Sequence, residues 1–393
     1  MAFDFDKVYD RRGTNSLKWD FAKELHHSED ELPLWVADMD FRAPEPIIAA
    51  IRETAEFGFF GYTAEKLAEK QIVSDWLYRR HGHRYSPEDI AFAPGVVFAI
   101  TMAILSYTEE NDAVMISEPV YYPFSSLVKD TGRKLVRNVL KPDDNGHYSF
   151  DYEMFEKQLK ENDVKAYILC SPHNPVGRVW TEEELRLIGD LCISNGVLVL
   201  SDEIHADFVF EGHRHLPFAS LSEDFEMNSV TFTSPSKTFN IAGLQIAEVI
   251  SRDKGRRRGL TSTMNKLGYI EIPITGLAAM KAAYTECDCW VDELVSYIYE
   301  NIIHMEKYLS DNLPMLHMTH PEGTYLPWVD CRDLGFDKAG LEDFIRNKAK
   351  LWLDAGYIFG ESGIGYQRFN AACPRETLDE ALRRLSEAAA GLL

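Results

Sequence analysis

Ala166-Tyr167-Ile168-Leu169-Cys170-Ser171-Pro172-His173-Asn174-Pro175-Val176-Gly177 runs apolar for five residues and then turns polar and proline-rich. The apolar part suits one buried strand and is too short for an ordinary helix, so it reads as a strand that breaks off at Ser171. The same figure recurs on either side. Ala91–Ala93 leads into Pro94-Gly95-Val96-Val97, and Ala113–Ser117 into Glu118-Pro119-Val120-Tyr121. Val197–Ser201 leads into Asp202-Glu203-Ile204-His205, and Val230–Thr233 into Ser234-Pro235-Ser236-Lys237-Thr238-Phe239-Asn240. Helix-like segments lie between these runs. The clearest begins at Thr181, where Glu184 completes a capping box ahead of Leu185, Ile188 and Cys192. Short strands alternating with helices predict an α/β domain with a parallel sheet. Ligands of such sheets lie beyond the carboxyl ends of the strands, which makes the residues after each run the candidates for function.

Composition narrows the function classes. The chain has 393 residues, 45% of them hydrophobic and 26% charged, which is globular composition and excludes disorder, collagen and coiled coil. That length suits two to three domains rather than one small binding module. A net charge of -22 repels phosphate backbones and anionic lipid, so neither nucleic acid nor a membrane surface is expected as a partner. Charges from Asp4 onward interrupt any signal-like stretch, and the nearly apolar run Ala91–Leu105 is short and contains Pro94-Gly95, so a cytoplasmic protein is expected. Six scattered cysteines do not make a disulfide framework and read as reduced thiols.

The strand-end residues fit one kind of chemistry. A lysine flanked by Ser234, Ser236 and Thr238 is either a solvated surface residue or a buried amine suited to a Schiff base. Its companions favour the second reading. Pyridoxal 5'-phosphate needs an amine for its aldehyde, a carboxylate for its ring nitrogen, a face to stack on and a phosphate cradle. Asp202 supplies a carboxylate that alone would read as a helix cap, and Tyr121 a ring that alone would read as core. Gly95 and Val96 open a helix whose free N–H groups suit phosphate, where a plain strand–helix turn is the alternative. Asn174 supplies an amide in what is otherwise a common turn pair. His205, His213 and His215 are read as structural rather than as a metal cluster, and no metal is expected. Gly360-Glu361-Ser362-Gly363-Ile364-Gly365 lacks the dinucleotide spacing and reads as a mobile loop near Arg368.

Taken together, Ser171–Gly177, Asp202–His205 and Ser234-Pro235-Ser236-Lys237-Thr238-Phe239-Asn240-Ile241-Ala242-Gly243-Leu244 resemble the fold-type I pyridoxal-phosphate enzymes. Trp35-Val36-Ala37-Asp38-Met39-Asp40-Phe41, with Arg368-Phe369-Asn370-Ala371-Ala372-Cys373-Pro374-Arg375, resembles their cystathionine β-lyase subgroup of the MalY/PatB type. The resemblance implies an aspartate-aminotransferase-like large domain at 46–285 with a mixed, mostly parallel sheet. It also implies a smaller α+β domain at 286–393 joined by an arm at 1–45, with the site between the domains.

It further implies roles. Lys237 is the Schiff-base lysine and general base, Asp202 the partner of the ring nitrogen, Asn174 the donor to the ring oxygen and Tyr121 the stacking ring. Val96, Val97, Ser234 and Ser236 bind phosphate beside Gly95, with Tyr62 reaching in from the partner of a homodimer. Arg368 takes the substrate carboxylate by a two-point contact, with Ala37 and Asn174 beside the substrate. His205 stands where aminotransferases of the superfamily often carry a tyrosine, and its role is left open; Gln245 replaces an arginine many of them use on phosphate. The implied reaction is β-elimination of L-cystathionine or a related thioether to a thiol, pyruvate and ammonia. An aminotransferase and a catalytically idle regulatory protein on the same scaffold stay as alternatives.

Overall fold

The protein is described by a computed structural model covering residues 3–269 and 271–391; positions 1–2 and 392–393 of the expected arm and small domain lie outside it. Seven strands form the main sheet: β1 Ile90–Ala93, β2 Ala113–Glu118, β3 Lys134–Val139, β4 Val164–Cys170, β5 Leu198–Asp202, β6 Ser229–Thr233 and β7 Ala247–Ile250. Their order is β1-β7-β6-β5-β4-β2-β3. Every pairing is parallel except those of β7, which runs antiparallel to both of its neighbours.

The apolar runs exist because this sheet is covered on both faces. Ala166, Ile168, Leu198, Leu200, Val230 and Phe232 enter one core, together with Val96 and Ile100. Their immediate neighbours Tyr167, Leu169 and Val199 enter the opposite core, against Leu185, Ile188 and Cys192. β3 sits at an edge, and its alternating exposure explains why it shows no apolar run in the sequence. The helices that matter below are α1 Leu67–His81, α2 Val96–Tyr107, α3 Glu182–Ser194, α4 Ile274–Glu286 and α5 Asp288–Asn312. α3 starts at Thr181 with both capping-box bonds made, as expected.

A second sheet follows α5: β8 His317–Thr319, β9 Trp328–Asp330, β10 Asp354–Ala355 and β11 Tyr366–Arg368, ordered β8-β9-β11-β10 and fully antiparallel. The glycine-rich segment beside it folds as a tight turn. A Cβ added to Gly356 would lie 2.1 Å from the Gly363 carbonyl oxygen, and the Val120 N–H donates to Phe359 O at 3.0 Å.

The N-terminal arm crosses between the sheets. Leu32–Pro33 pairs in parallel with Leu351–Trp352, and the buried Lys18 holds Asp40 Oδ2 at 2.7 Å while Arg11 holds Asp38 and Asp40. Asn370 Nδ2 donates to Val36 O and Asp38 O, both at 2.8 Å. From the other side Asn240 accepts the Met39 N–H at 3.0 Å and donates to Met39 O and Phe41 O at 2.8 Å each. Asn240 has a φ of +56°, a left-handed conformation that asparagine tolerates better than most residues. Replacing it by alanine removes three hydrogen bonds and strains the backbone. Asn240→Ala should cost about 2–4 kcal/mol in urea unfolding, and a loss below about 0.5 kcal/mol would contradict this account of the arm.

Candidate active site

Beyond the carboxyl ends of the strands lies a cavity of about 410 Å³. Ala37, Gly95, Val96, Val97, Tyr121, Asn174, Asp202, His205, Ser236, Lys237 and Arg368 all line it, and so does Gln245. Residues far apart in sequence meet here because the strand ends share one edge of the sheet, while the arm and the second sheet close over it.

Lys237 stands on a single helical turn, Pro235–Thr238. Its Nζ donates to Ala37 O at 2.6 Å. Burial, reinforced by the Arg368 charge, lowers its amine to about 8 from the ordinary 10.5. A minority of it, far larger than for an ordinary lysine, is therefore neutral and nucleophilic near physiological pH.

Asp202 ends β5 and is buried. Its Oδ1 accepts the Ile204 N–H at 3.1 Å, so the turn role of this residue is real. That bond leaves most of the charge uncompensated, and burial raises the carboxyl to about 7. A protonated ring nitrogen would supply the missing counter-charge. His205 is held neutral by burial and by Lys237 and Arg368, at about 3. Its Nδ1 is buried with no hydrogen-bond partner among the described residues.

Arg368 is 2% exposed, at the end of β11 opposite Asp354 of β10. Its Nη2 donates to Trp35 O at 2.7 Å and to Asp354, and its Nη1 to Asn174 Oδ1 at 3.1 Å. The Nε–H has no partner among the described residues, and it and one Nη1–H are the donors left over. Three of the five donors are thus spent on holding the guanidinium in place, and the sequence reading, which expected a free fork, did not foresee that. It also missed Asp354. The available signal was a lone carboxylate inside the apolar run Leu351-Trp352-Leu353-Asp354-Ala355, which requires a cation once buried.

The helix end at α2 offers the N–H groups of its first turn, which no helix can satisfy internally. Ser236 and Gln245 face the same cavity. Ser234 does not line it. Its hydroxyl donates to Ile246 O at 2.7 Å and accepts the Ser236 N–H at 3.0 Å, so it shapes the turn from behind rather than facing the cavity. Tyr62 is 94% exposed and outside the cavity of its own chain. An amine, a carboxylate lacking a counter-charge, an aromatic face at Tyr121 and neutral anion donors form the set that pyridoxal 5'-phosphate requires. The residues present fit it.

Comparison with known proteins adds four likenesses. The family model for aminotransferase class I and II matches residues 30–385. Cystathionine beta-lyase PatB of Bacillus subtilis is 44% identical over 98% of this chain and 99% of its own length. Protein MalY of Escherichia coli is 32% identical over 98% of each chain. The crystal structure of cystalysin from Treponema denticola, which contains pyridoxal 5'-phosphate, matches with a TM-score of 0.96 at 35% identity, covering 100% of both chains.

The state of Asp202 predicts a pH dependence in cofactor-free protein. A carboxyl raised on folding stabilises the fold below its unfolded value, and that contribution is lost as pH rises through the folded value of about 7. Cofactor-free wild type should lose stability relative to Asp202→Asn between about pH 4 and pH 7, with the difference levelling off above. Urea midpoints whose difference is flat across that range would contradict the assignment.

Proposed function

The chain belongs to the class I and II aminotransferase family, and we propose that it acts as a carbon–sulfur β-lyase on L-cystathionine or a related cysteine thioether. It is a pyridoxal 5'-phosphate-dependent enzyme of the carbon–sulfur lyase class. With one water consumed, the products are a thiol, pyruvate and ammonia. The observation that carries the reading is the meeting, in one cavity, of a desolvated amine, a carboxylate without its counter-charge and an immobilised guanidinium.

The roles follow from the donors each residue has left. Asp202 holds the ring nitrogen, and the first-turn N–H groups at Val96 and Val97, with Ser236, hold the phosphate. Asn174 spends its Oδ1 on Arg368 and offers Nδ2 to the ring oxygen. Tyr121 packs edge-on to Phe124 at 5.5 Å, which fixes its ring as a stacking surface. Arg368 binds the substrate carboxylate, and Asp354 keeps it aimed. When bound, the cofactor supplies the electron-withdrawing ring that takes up the pair left at Cα. Lys237 Nζ removes the Cα proton. Burial raises the Tyr121 phenol, so it stays protonated and can donate to the departing sulfur. Ala37 O receives Lys237 and places it.

We further assign the enzyme to the cytoplasm, as a homodimer with 46–285 and 286–393 as its domains. Among the described residues no helix is long and apolar enough to cross a membrane. Support for the dimer is the cluster Phe57, Phe59, Phe60 and Tyr62, each more than 60% exposed, a concentration of aromatic surface suited to a second subunit. That subunit would carry its Tyr62 to the neighbouring site.

Three experiments test the reading. L-Cystathionine without any 2-oxo acid should give sustained release of homocysteine, pyruvate and ammonia. Turnover that requires a 2-oxo acid and releases no thiol would replace the lyase by an aminotransferase. Borohydride should fix the cofactor on Lys237, and Lys237→Ala should fold yet lose both label and turnover; a label on another lysine would overturn the site. Arg368→Lys cannot serve Trp35 O, Asp354 and Asn174 at once. It should raise KM by about 5- to 150-fold, on the scale of 1–3 kcal/mol for charge-assisted bonds, with the cofactor still bound. An unchanged KM would remove Arg368 from the substrate site.

A further inference from the structure

Lys237 sits on one turn of helix with little backbone support. The Phe239 N–H to Pro235 O bond at 2.9 Å and the Ile241 N–H to Ser236 O bond at 3.0 Å close it. Side chains bracket it instead. Before Lys237, the Ser234 hydroxyl is tied to Ile246 O. Directly after it, the Thr238 hydroxyl donates to Asp207 Oδ2 at 2.7 Å.

Asp207 belongs to a buried polar group that does not line the cavity. Its Oδ1 lies 3.2 Å from His81 Nε2 and 3.6 Å from Arg80 Nε, both on α1. The His81 ring meets the His215 ring edge to face at 5.2 Å. His215 Nε2 lies 3.1 Å from Glu203 Oε2. Glu203 Oε1 accepts the Ser201 hydroxyl at 2.8 Å and the Phe218 N–H at 3.0 Å. The side chains of His81, Asp207, His215 and Glu203 are each more than nine-tenths buried. This series of contacts begins one residue from Asp202 and ends one residue from Lys237.

Two buried carboxylates are costly to a fold, and apolar side chains of similar volume generally serve stability as well or better. Asp207 Oδ1, His81 Nε2 and His215 Nδ1 have no well-aligned hydrogen-bond partner among the described residues, which adds to that cost. A buried polar group that touches the segments on both sides of a site is accounted for by what it does to the site.

We propose that Asp207, acting through the Thr238 hydroxyl, is a positioning residue for Lys237, and that the His81–His215–Glu203 contacts tie this anchor to the backbone beside Asp202. The inference rests on Lys237 being the reacting lysine. The anchored turn holds Nζ where it can reach both cofactor and Cα, while Arg368 independently fixes the substrate carboxylate. Disturbing the anchor therefore acts on the chemical step and on cofactor retention, and leaves substrate affinity alone.

The test uses holoenzyme and three variants. Thr238→Val keeps the shape and removes the hydroxyl, Thr238→Ser keeps the hydroxyl, and Thr238→Ala replaces Thr238→Val should the latter not fold. Two quantities are read: kcat and KM separately, and the half-life of bound cofactor during dialysis. Thr238→Val should lower kcat by about tenfold or more, the scale of a small misplacement of a reacting group, with KM unchanged and cofactor lost faster. Thr238→Ser should restore both. If Thr238→Val keeps wild-type kcat and cofactor half-life, or Thr238→Ser is impaired as much as Thr238→Val, the proposal fails. A Lys237→Ala variant that is dead beside a fully active Thr238→Val overturns this inference and leaves the reading of Lys237 intact.

Discussion

A partly buried amine with one acceptor among the described residues, the Ala37 carbonyl 2.6 Å away, sets the terms for the rest of this molecule. The acceptor lies in the segment Trp35–Phe41, and nearly every carbonyl of that segment is taken. Trp35 O receives Arg368, Val36 O and Asp38 O receive Asn370, Ala37 O receives Lys237 and the Tyr325 hydroxyl, and Met39 O and Phe41 O receive Asn240. One extended strip of backbone thus receives both the Lys237 amine and the Arg368 guanidinium. The buried Lys18 and Arg11 anchor the aspartates of the same strip, so its place is fixed by charge as well as by hydrogen bonds.

The site is built from groups that are uncomfortable on their own. Burial raises Asp202 and lowers Lys237 and His205, each moving toward its neutral form. Burial also raises Asp354, even with Arg368 against it. A ligand bringing a ring cation and an aldehyde relieves the first two at once, so cofactor loading and fold stability are linked quantities here. The phosphate end follows a different economy. Gln245 faces the cavity beside Ser236 and the first turn of α2, so the donors offered to an anion there are neutral.

How much of this was legible in the sequence depended on whether the governing interaction was local. The parallel strands showed as apolar runs because both faces of the sheet are covered, and their polar ends pointed to the site. β3 and β7 were not singled out: β3 alternates at an edge, and β7 buries Glu248 at its centre, where a strand-like run is broken by a charge. Ser234 carries the right chemistry for phosphate, yet its position as the cap of a four-residue turn directs the hydroxyl to Ile246 O. Asp354, Asn240 and Asp207 act across 14 to 201 residues of chain, and no spacing rule relates such partners. The division of labour among the five donors of Arg368 was equally out of reach, since it depends on how two sheets and an arm converge.

The chemistry of this site requires Lys237 to be desolvated enough to lose its proton near neutrality. The direct measurement is the pH dependence of Lys237 acylation in cofactor-free protein, followed by mass spectrometry of the peptide that contains it. Modification should rise with a midpoint of about 8. A midpoint at the ordinary lysine value of 10.5 would mean that the amine is solvated, and would contradict the account.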